Sequence, residues 1–329
     1  VRGIRVGIVN PRTSFGTRVR ELLSDGRLPV TELKLFDSRM DGEAALTQFQ
    51  DELVITQPLD EELFPQLDVC FFCANDTDLL NRVATDAAAG GVLSIVEGAI
   101  GLDAPVVVPG LSTDPESGDR LIAVPRPSSH LLGAIAKRVL DHLGECRVAA
   151  TVLLPAAEKG DAGARELHEQ VVSLLNFQDV TTDVLEEQLA FNVRLAGRGA
   201  FIPALAETIS REAGYLAGLS DAVTAMLIQV PVFHAYATSM WVELLEPVEE
   251  RRLKECFREA PFAIASGRGA SEPSPISVAE SNRIHVGGLR RPTEASRPGF
   301  WLWAVADATV YDPGAAAIEI AKSRLDGGS

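Results

Sequence analysis

Four side chains capable of chemistry stand together in Arg126-Pro127-Ser128-Ser129-His130, between a β run and a helix. An arginine, two hydroxyls and an imidazole at the carboxyl end of a strand are the parts of a nucleophile with a nearby base. Pro127, at the centre, has no reactive group, and its missing N–H suits it to the first turn of a helix. Ser128, Ser129 and His130 are consecutive at a helix start, so their side chains fan out instead of converging. A second group is Arg12-Thr13-Ser14. These residues can hold an anion at a helix N-terminus, but Ser14 is also a good helix cap, and capping is the simpler role. A third group is Val230-Pro231-Val232-Phe233-His234-Ala235-Tyr236. If this run is one extended strand, His234 and Tyr236 share a face.

These groups need elements to hold them. "IRVGIV" (4–9), "ELKLFD" (32–37), "LDVCFFCA" (67–74), "GVLSIVE" (91–97) and "RLIAVP" (120–125) read as strands, with helices at about 14–25 and 76–89. Strands separated by helix-length stretches form parallel βαβ units, here a doubly wound, Rossmann-like sheet. Ligand sites in such sheets lie at the carboxyl ends of the strands. After residue 130 the rhythm changes. A helix (about 129–143), a β run (146–155) and helical stretches at about 160–175 and 203–217 precede two long β runs, 222–233 and 238–248. The last two are expected to lie together as in an antiparallel sheet. The expected fold class is α/β: a Rossmann-like domain over 1–129 and an α+β second domain with a mixed or antiparallel sheet over 130–306. A last helix, about 307–326, returns to the first domain.

The chain has 329 residues, 46% hydrophobic and 23% charged, with a formal net charge of −16. Such a length suits two cores. The acid excess disfavours nucleic acid and anionic membrane as partners. No apolar run reaches the roughly 20 residues of a membrane span, and the N-terminus runs directly into a strand, without a signal-peptide layout. A cytoplasmic protein is the expectation. Cys70 and Cys73 form a C-x-x-C, but inside an apolar strand, where buried structural thiols are expected in place of a redox pair. The five histidines have no metal-ligand spacing, so no metal is expected.

Strings along nearly the whole chain, including "FPQLDVCFFCAND", "QLAFNV", "QVPVFHAY", "VEERRLKECFREAP", "HVGGLRR" and "LWAVAD", resemble aspartate-semialdehyde dehydrogenase. The resemblance implies an NADP-binding Rossmann domain and a homodimer formed through the second domain. It also implies a cysteine that attacks aldehyde or acyl phosphate, and a histidine acid/base. At the nucleophile position this sequence has Pro127. At the acid/base position it has Tyr236, a phenol whose ordinary pKa near ~10 makes it a poor proton shuttle at neutral pH. The arginine that clamps a substrate carboxylate is replaced by Gln229, which lacks the fork and the charge. The phosphate-binding arginine falls at Gly101, the active-site glutamine at Leu154 and a lysine at Pro203. Glu207-Thr208 alone survives of its group. Asn10 and Thr13 stand at the first two glycines of the cofactor turn, Gly16 at the third, and Pro11 removes a donor. Asp37, ending the second strand, is placed to take a ribose 2′-OH and repels a 2′-phosphate. Ala308 and Tyr311 stand at polar positions on the nicotinamide side.

The resemblance therefore implies the family scaffold without its chemistry: a homodimer lacking dehydrogenase activity, with no cofactor or at most weakly bound NAD(P). Arg126, Ser128, Ser129, Glu207, Gln229, His234 and Tyr236 are the candidate lining of the old site, for a small anionic ligand or an unknown protein partner. Two alternatives stay open. One is an enzyme of altered mechanism, with Ser128 or Ser129 as nucleophile assisted by His130, His234 or Tyr236. The other is the family's own NAD(P)-dependent reaction in amino-acid biosynthesis.

Overall fold

The computed structural model describes residues 3–38, 46–49, 52–73, 77–98, 102–112, 118–196, 201–219, 221–264, 271–292 and 297–326. They divide into two compact units, Val1–Arg126 with Asp312–Ser329, and Pro127–Tyr311. The division falls at the first residue of the helix that Pro127 opens, so Ser128 and Ser129 go with the second unit.

In the first unit the elements are β1 (Ile4–Val9), α1 (Ser14–Ser24), β2 (Val30–Asp37), β3 (Leu46–Phe49), β4 (Glu52–Pro58), β5 (Val69–Phe72), α2 (Thr77–Ala89), β6 (Leu93–Glu97) and β7 (Leu121–Val124). The sheet order is β3-β4-β2-β1-β5-β6-β7. All pairs are parallel except β3–β4. β5 is buried along its whole length, as a central parallel strand with helices on both faces must be. Burial pushes the Cys70 and Cys73 thiols well up from their ordinary range, consistent with structural thiols. The β3–β4 hairpin went unread in the sequence because β3 has only four residues and the pair exposes Leu46, Leu53 and Ile55 in place of a buried apolar run.

The second unit contains α3 (Pro127–Leu143), β8 (Cys146–Leu154), α4 (Gly160–Leu175), β9 (Arg194–Leu195), α5 (Phe201–Ala217), β10 (Val223–Gln229), β11 (Tyr236–Leu244), α6 (Glu250–Cys256), β12 (Phe262–Ile264), β13 (Ile284–Arg290) and β14 (Gly299–Ala306). Its sheet order is β12-β13-β14-β11-β8-β10-β9. The two long β runs do not pair with each other, contrary to the sequence expectation. β8 lies between them, parallel to β10 and antiparallel to β11. The chain reaches β10 through α5, a crossover that produces a parallel neighbour. The last helix, α7 (Pro313–Asp326), belongs to the first unit, where Arg18 of α1 pairs with Asp312 at 2.6 Å.

α3 and α5 pack on one face of this sheet. Their close approach depends on Gly133, where a Cβ would lie 2.8 Å from Leu216 Cβ. α4 holds the irregular segment 181–190 by polar groups. The buried Glu166 carboxylate accepts the N–H groups of Val184 (2.7 Å) and Leu185 (2.9 Å). Gln170 accepts those of Leu189 and Ala190 and donates to Thr181 O. Bonds to a charged acceptor are worth more than neutral ones, and orphaned buried donors cost about 1–3 kcal/mol each. Glu166→Ala is expected to lower the second unit's stability by about 2–4 kcal/mol. Urea unfolding followed by tryptophan fluorescence checks this, since Trp241, Trp301 and Trp303 are the chain's three tryptophans and all lie in that unit.

Candidate functional site

Pro127 opens α3, and the next two side chains are fully buried. Ser129 Oγ donates to Glu212 Oε2 of α5 at 2.6 Å, and Glu212 is itself fully buried. Ser128 Oγ is buried without a hydrogen-bond partner. One residue on, the His130 ring stacks on Tyr311, with centroids 4.3 Å apart and planes 7° apart. Burial lowers its pKa from 6.5 to about 4, so it is neutral at pH 7. Ser129 and His130 thus meet different partners, on α5 and at Tyr311, and Ser128 meets neither.

Tyr236 begins β11 and is buried. Its hydroxyl donates to Glu158 Oε2 at 2.7 Å, from the short helical turn Ala156–Lys159 that follows β8. Pro127, His130, Tyr236, Asp307, Ala308 and Tyr311 line one cavity of about 10 Å³, closed by apolar neighbours such as Leu131 and Ile284. That is the space of about one water molecule. The two sequence positions aligned with the family's nucleophile and acid/base thus meet at one cavity, as do Ala308 and Tyr311. Its described lining carries no lysine or arginine.

The remaining candidates lie elsewhere. His234 is exposed in the turn before β11, so the expected strand does not extend through it and it shares no strand face with Tyr236. Its ring lies 6.3 Å from that of Phe233. Pro231 interrupts the run: β10 stops at Gln229, and Val230 bonds back to β8 through Leu154 O. Gln229 is buried at the end of β10 and is in register with Leu154. Glu207 is exposed on α5, and Thr208 donates back to Ala204 O within the helix. Arg126, in the first unit, packs against Gly98, whose φ is +70°; a Cβ there would lie 3.0 Å from Arg126 Nε. Gly101 is outside the described residues. Sequence reading missed Glu158 and Glu212. Neither sits in a spacing that signals chemistry, and each acquires meaning only from a partner more than 70 residues away.

Asn10, Arg12 and Thr13, in the turn after β1, all have partners within the first unit. Asn10 adopts φ 58°, a conformation Asn tolerates better than most residues. Its Oδ1 accepts from Ser38 N (2.9 Å) and Oγ (3.0 Å), beyond β2, and its Nδ2 donates to Cys73 O (3.2 Å), beyond β5. Thr13, not Ser14, caps α1: its hydroxyl accepts from Gly16 N at 3.0 Å. Arg12 pairs with Asp37 at 2.6 Å, so the acid expected to meet a ribose hydroxyl already has a partner. Gly16 is needed for packing, since a Cβ would lie 2.8 Å from Asn10 O and from Pro11 Cα. Among the described residues no three His, Cys, Asp or Glu gather as metal ligands, and no helix is long and apolar enough to cross a membrane.

A family model described as the dimerisation domain of semialdehyde dehydrogenase matches residues 137–311, more than half of the chain. The chain belongs to the semialdehyde dehydrogenase family and is aspartate-semialdehyde dehydrogenase-like. It is similar to the aspartate-semialdehyde dehydrogenase of Shewanella violacea, 24% identical over 317 residues and 92% of each chain. It is 23% identical to that of Synechocystis sp. over 336 residues, 99% of this chain and 98% of the relative. Among solved structures, aspartate semialdehyde dehydrogenase II of Vibrio cholerae superposes with a TM-score of 0.78 at 24% identity, over 100% of both chains. The Candida albicans enzyme with NADP gives 0.65 at 14%, over 99% of both. These structural likenesses define a shared fold.

The stacked histidine gives a pH dependence. His130 has a folded pKa near 4, below its unfolded value of 6.5. The unfolded chain therefore takes up a proton before the folded one does, and stability falls as pH drops from 6.5 toward 4. His130→Phe, which keeps a ring against Tyr311, is expected to lose about 1–3 kcal/mol less than the wild type over that interval. Tryptophan-monitored urea unfolding at pH 7 and pH 4.5 measures the difference.

Proposed function

We propose that this family member is a homodimeric, cytoplasmic scaffold that does not catalyse the dehydrogenation for which its relatives are named. One observation carries the reading: Pro127 and Tyr236, at the positions of nucleophile and acid/base, line the same cavity, which has room for about one water. Proline offers no nucleophile, and the Tyr236 phenol is held by Glu158. A neutral His130 and Asp307 give that cavity nothing to attract an anion, so the small anionic ligand suggested by the sequence finds no support here. The remaining role is interaction with another protein chain.

A serine mechanism has one point in its favour, the 2.6 Å bond between Ser129 and the Glu212 carboxylate. Both groups are fully buried, and a nucleophile must meet its substrate. The pair is better read as a latch between α3 and α5.

The nucleotide loop does not fit a dinucleotide well. Pyrophosphate binding uses free backbone N–H groups and close approach at glycines. Here Asn10 and Thr13 replace two glycines, Pro11 has no N–H, the Thr13 hydroxyl accepts from Gly16 N, and Arg12 is paired with Asp37. NADP affinity is expected to be far weaker than micromolar. Calorimetric titration with NADP and NAD measures it, and binding at micromolar or below would overturn this part of the reading.

Purified protein should show no NADP-dependent oxidation of aspartate semialdehyde. The double variant Pro127→Cys with Tyr236→His should not restore it, because Gln229 and Gly101 stand where guanidinium groups would orient the substrate. Losing one charged partner in a desolvated site costs ~2–5 kcal/mol. Turnover by the double variant near a relative's rate would show that only two positions had changed in function. Turnover by the wild type would overturn the proposal. Light scattering should give a dimer; a monomer of about 35 kDa would count against it.

A further inference from the structure

Ser129 is fully buried, but another serine of the second unit meets a histidine at the surface. The turn before β13 places Ser281 Oγ 2.7 Å from Nε2 of His285. Both residues are half-buried, so the pair is sheltered yet within reach of a small molecule. Neither lines the cavity at Pro127 and Tyr236. The local backbone creates the contact. Glu280 adopts φ 61°, in the left-handed region that a non-glycine residue enters at a cost. Two hydrogen bonds hold the turn there: Ser281 N–H donates to Val278 O at 2.9 Å, and Glu280 N–H donates to the Asp307 carboxylate at 3.3 Å. Arg283 N–H donates to Ser281 Oγ at 3.3 Å, which occupies one lone pair of the hydroxyl and fixes its position. A hydroxyl presented from a sharp turn to a fixed base is the arrangement that acyl transfer uses.

His285 suits the role of base. It stands second in β13, opposite Ala263 of β12 and Val305 of β14, and opposed residues of neighbouring strands share a face. Val305 belongs to a buried cluster with Ala235, Ala237 and Val278, so the side of the pair toward the sheet is apolar. Burial, and then the positive charge of Arg283, lower the pKa of His285 below its ordinary 6.5. The ring is therefore neutral at pH 7. With its proton on Nδ1, Nε2 accepts the proton of Ser281.

We infer that Ser281 is a surface nucleophile activated by His285, and that it accepts a short acyl group from an activated ester. In this step a bond forms between Ser281 Oγ and the carbonyl carbon, and the bond from that carbon to the leaving oxygen breaks. The Oγ proton passes to His285 Nε2 and from there to the leaving oxygen. The ring returns to its neutral form and Ser281 carries the acyl group as an ester. The inference stands apart from the scaffold reading above, since it uses no residue of the old site. A hydroxyl that merely pinned the turn would have the same hydrogen bonds but no reactivity, and that difference can be measured.

The full chain mixed with p-nitrophenyl acetate at pH 7 provides the test. The four cysteines are buried and do not compete for the reagent. The expected result is a burst of p-nitrophenol equal in amount to the chain, with an acetyl group that peptide mass spectrometry maps to Ser281. Ser281→Ala should lose the burst. His285→Gln, whose side chain can still hydrogen-bond the hydroxyl, should slow acetylation of Ser281 by at least about tenfold with an unchanged circular dichroism spectrum. Acetyl groups on lysines or the amino terminus alone in the wild type would overturn the inference without recourse to any variant. A burst that persists in Ser281→Ala would overturn it in favour of attack by the imidazole itself. Labelling of Ser281 in His285→Gln as fast as in the wild type would overturn the role of base, and the inference with it.

Discussion

A serine hydroxyl and a glutamate carboxylate, both removed from water, fix where α3 begins. Ser129 and Glu212 lie 83 positions apart, and their bond sets the first turn of α3 against α5. Everything at the cavity follows from that setting. Pro127 is two residues before the bond and His130 one after, so the rotation of the helix start decides that proline faces the cavity and the imidazole meets Tyr311. Breaking the bond by removing one partner would strand the other in a dry interior, which is costly. The same constraint makes Ser129 a poor reagent: a group that holds the wall in place is not available at its surface.

The first unit repeats this pattern with different chemistry. In a parallel sheet the carboxyl ends of neighbouring strands part at the switch point and leave a crevice. Asn10 stands at the end of β1 and bonds to the segments following β2 and β5 on either side. A side-chain amide with a donor and an acceptor suits this, because it satisfies a backbone N–H on one side and a carbonyl on the other. Arg12 and Asp37 neutralise each other nearby. In both units several candidate ligand groups are engaged by the protein itself: Asn10, Arg12 and Asp37 in the first, Ser129 and Tyr236 in the second.

How much of this could be read in the sequence depends on the range of the interactions. The Rossmann-like alternation was legible because each βαβ unit is local: strand, turn signal and helix period follow one another. The family resemblance was legible from strings in order, and it placed Pro127 and Tyr236 together, as the cavity does. The neighbours of β8 were not legible, because parallel and antiparallel partners leave the same β-branched pattern in the chain. His234 was expected to share a face with Tyr236 only if its run formed one strand, and Pro231 interrupts the strand that its apolar neighbours advertise. Glu158 and Glu212 were invisible for another reason: a carboxylate in an acidic chain is unremarked until its partner arrives from a distant segment.

The central position of β8 also bears on how the chain acquires its structure. β8 ends at Leu154, yet its two partners begin at Val223 and Tyr236. Both of its edges therefore stay unpaired until some 70 to 90 further residues have been synthesised, and closing such loops must precede any reward in hydrogen bonds. At ordinary translation rates that is an interval of several seconds. During it an apolar strand with two open edges is the segment of the nascent second unit most in need of shelter, from the ribosome surface or from a chaperone.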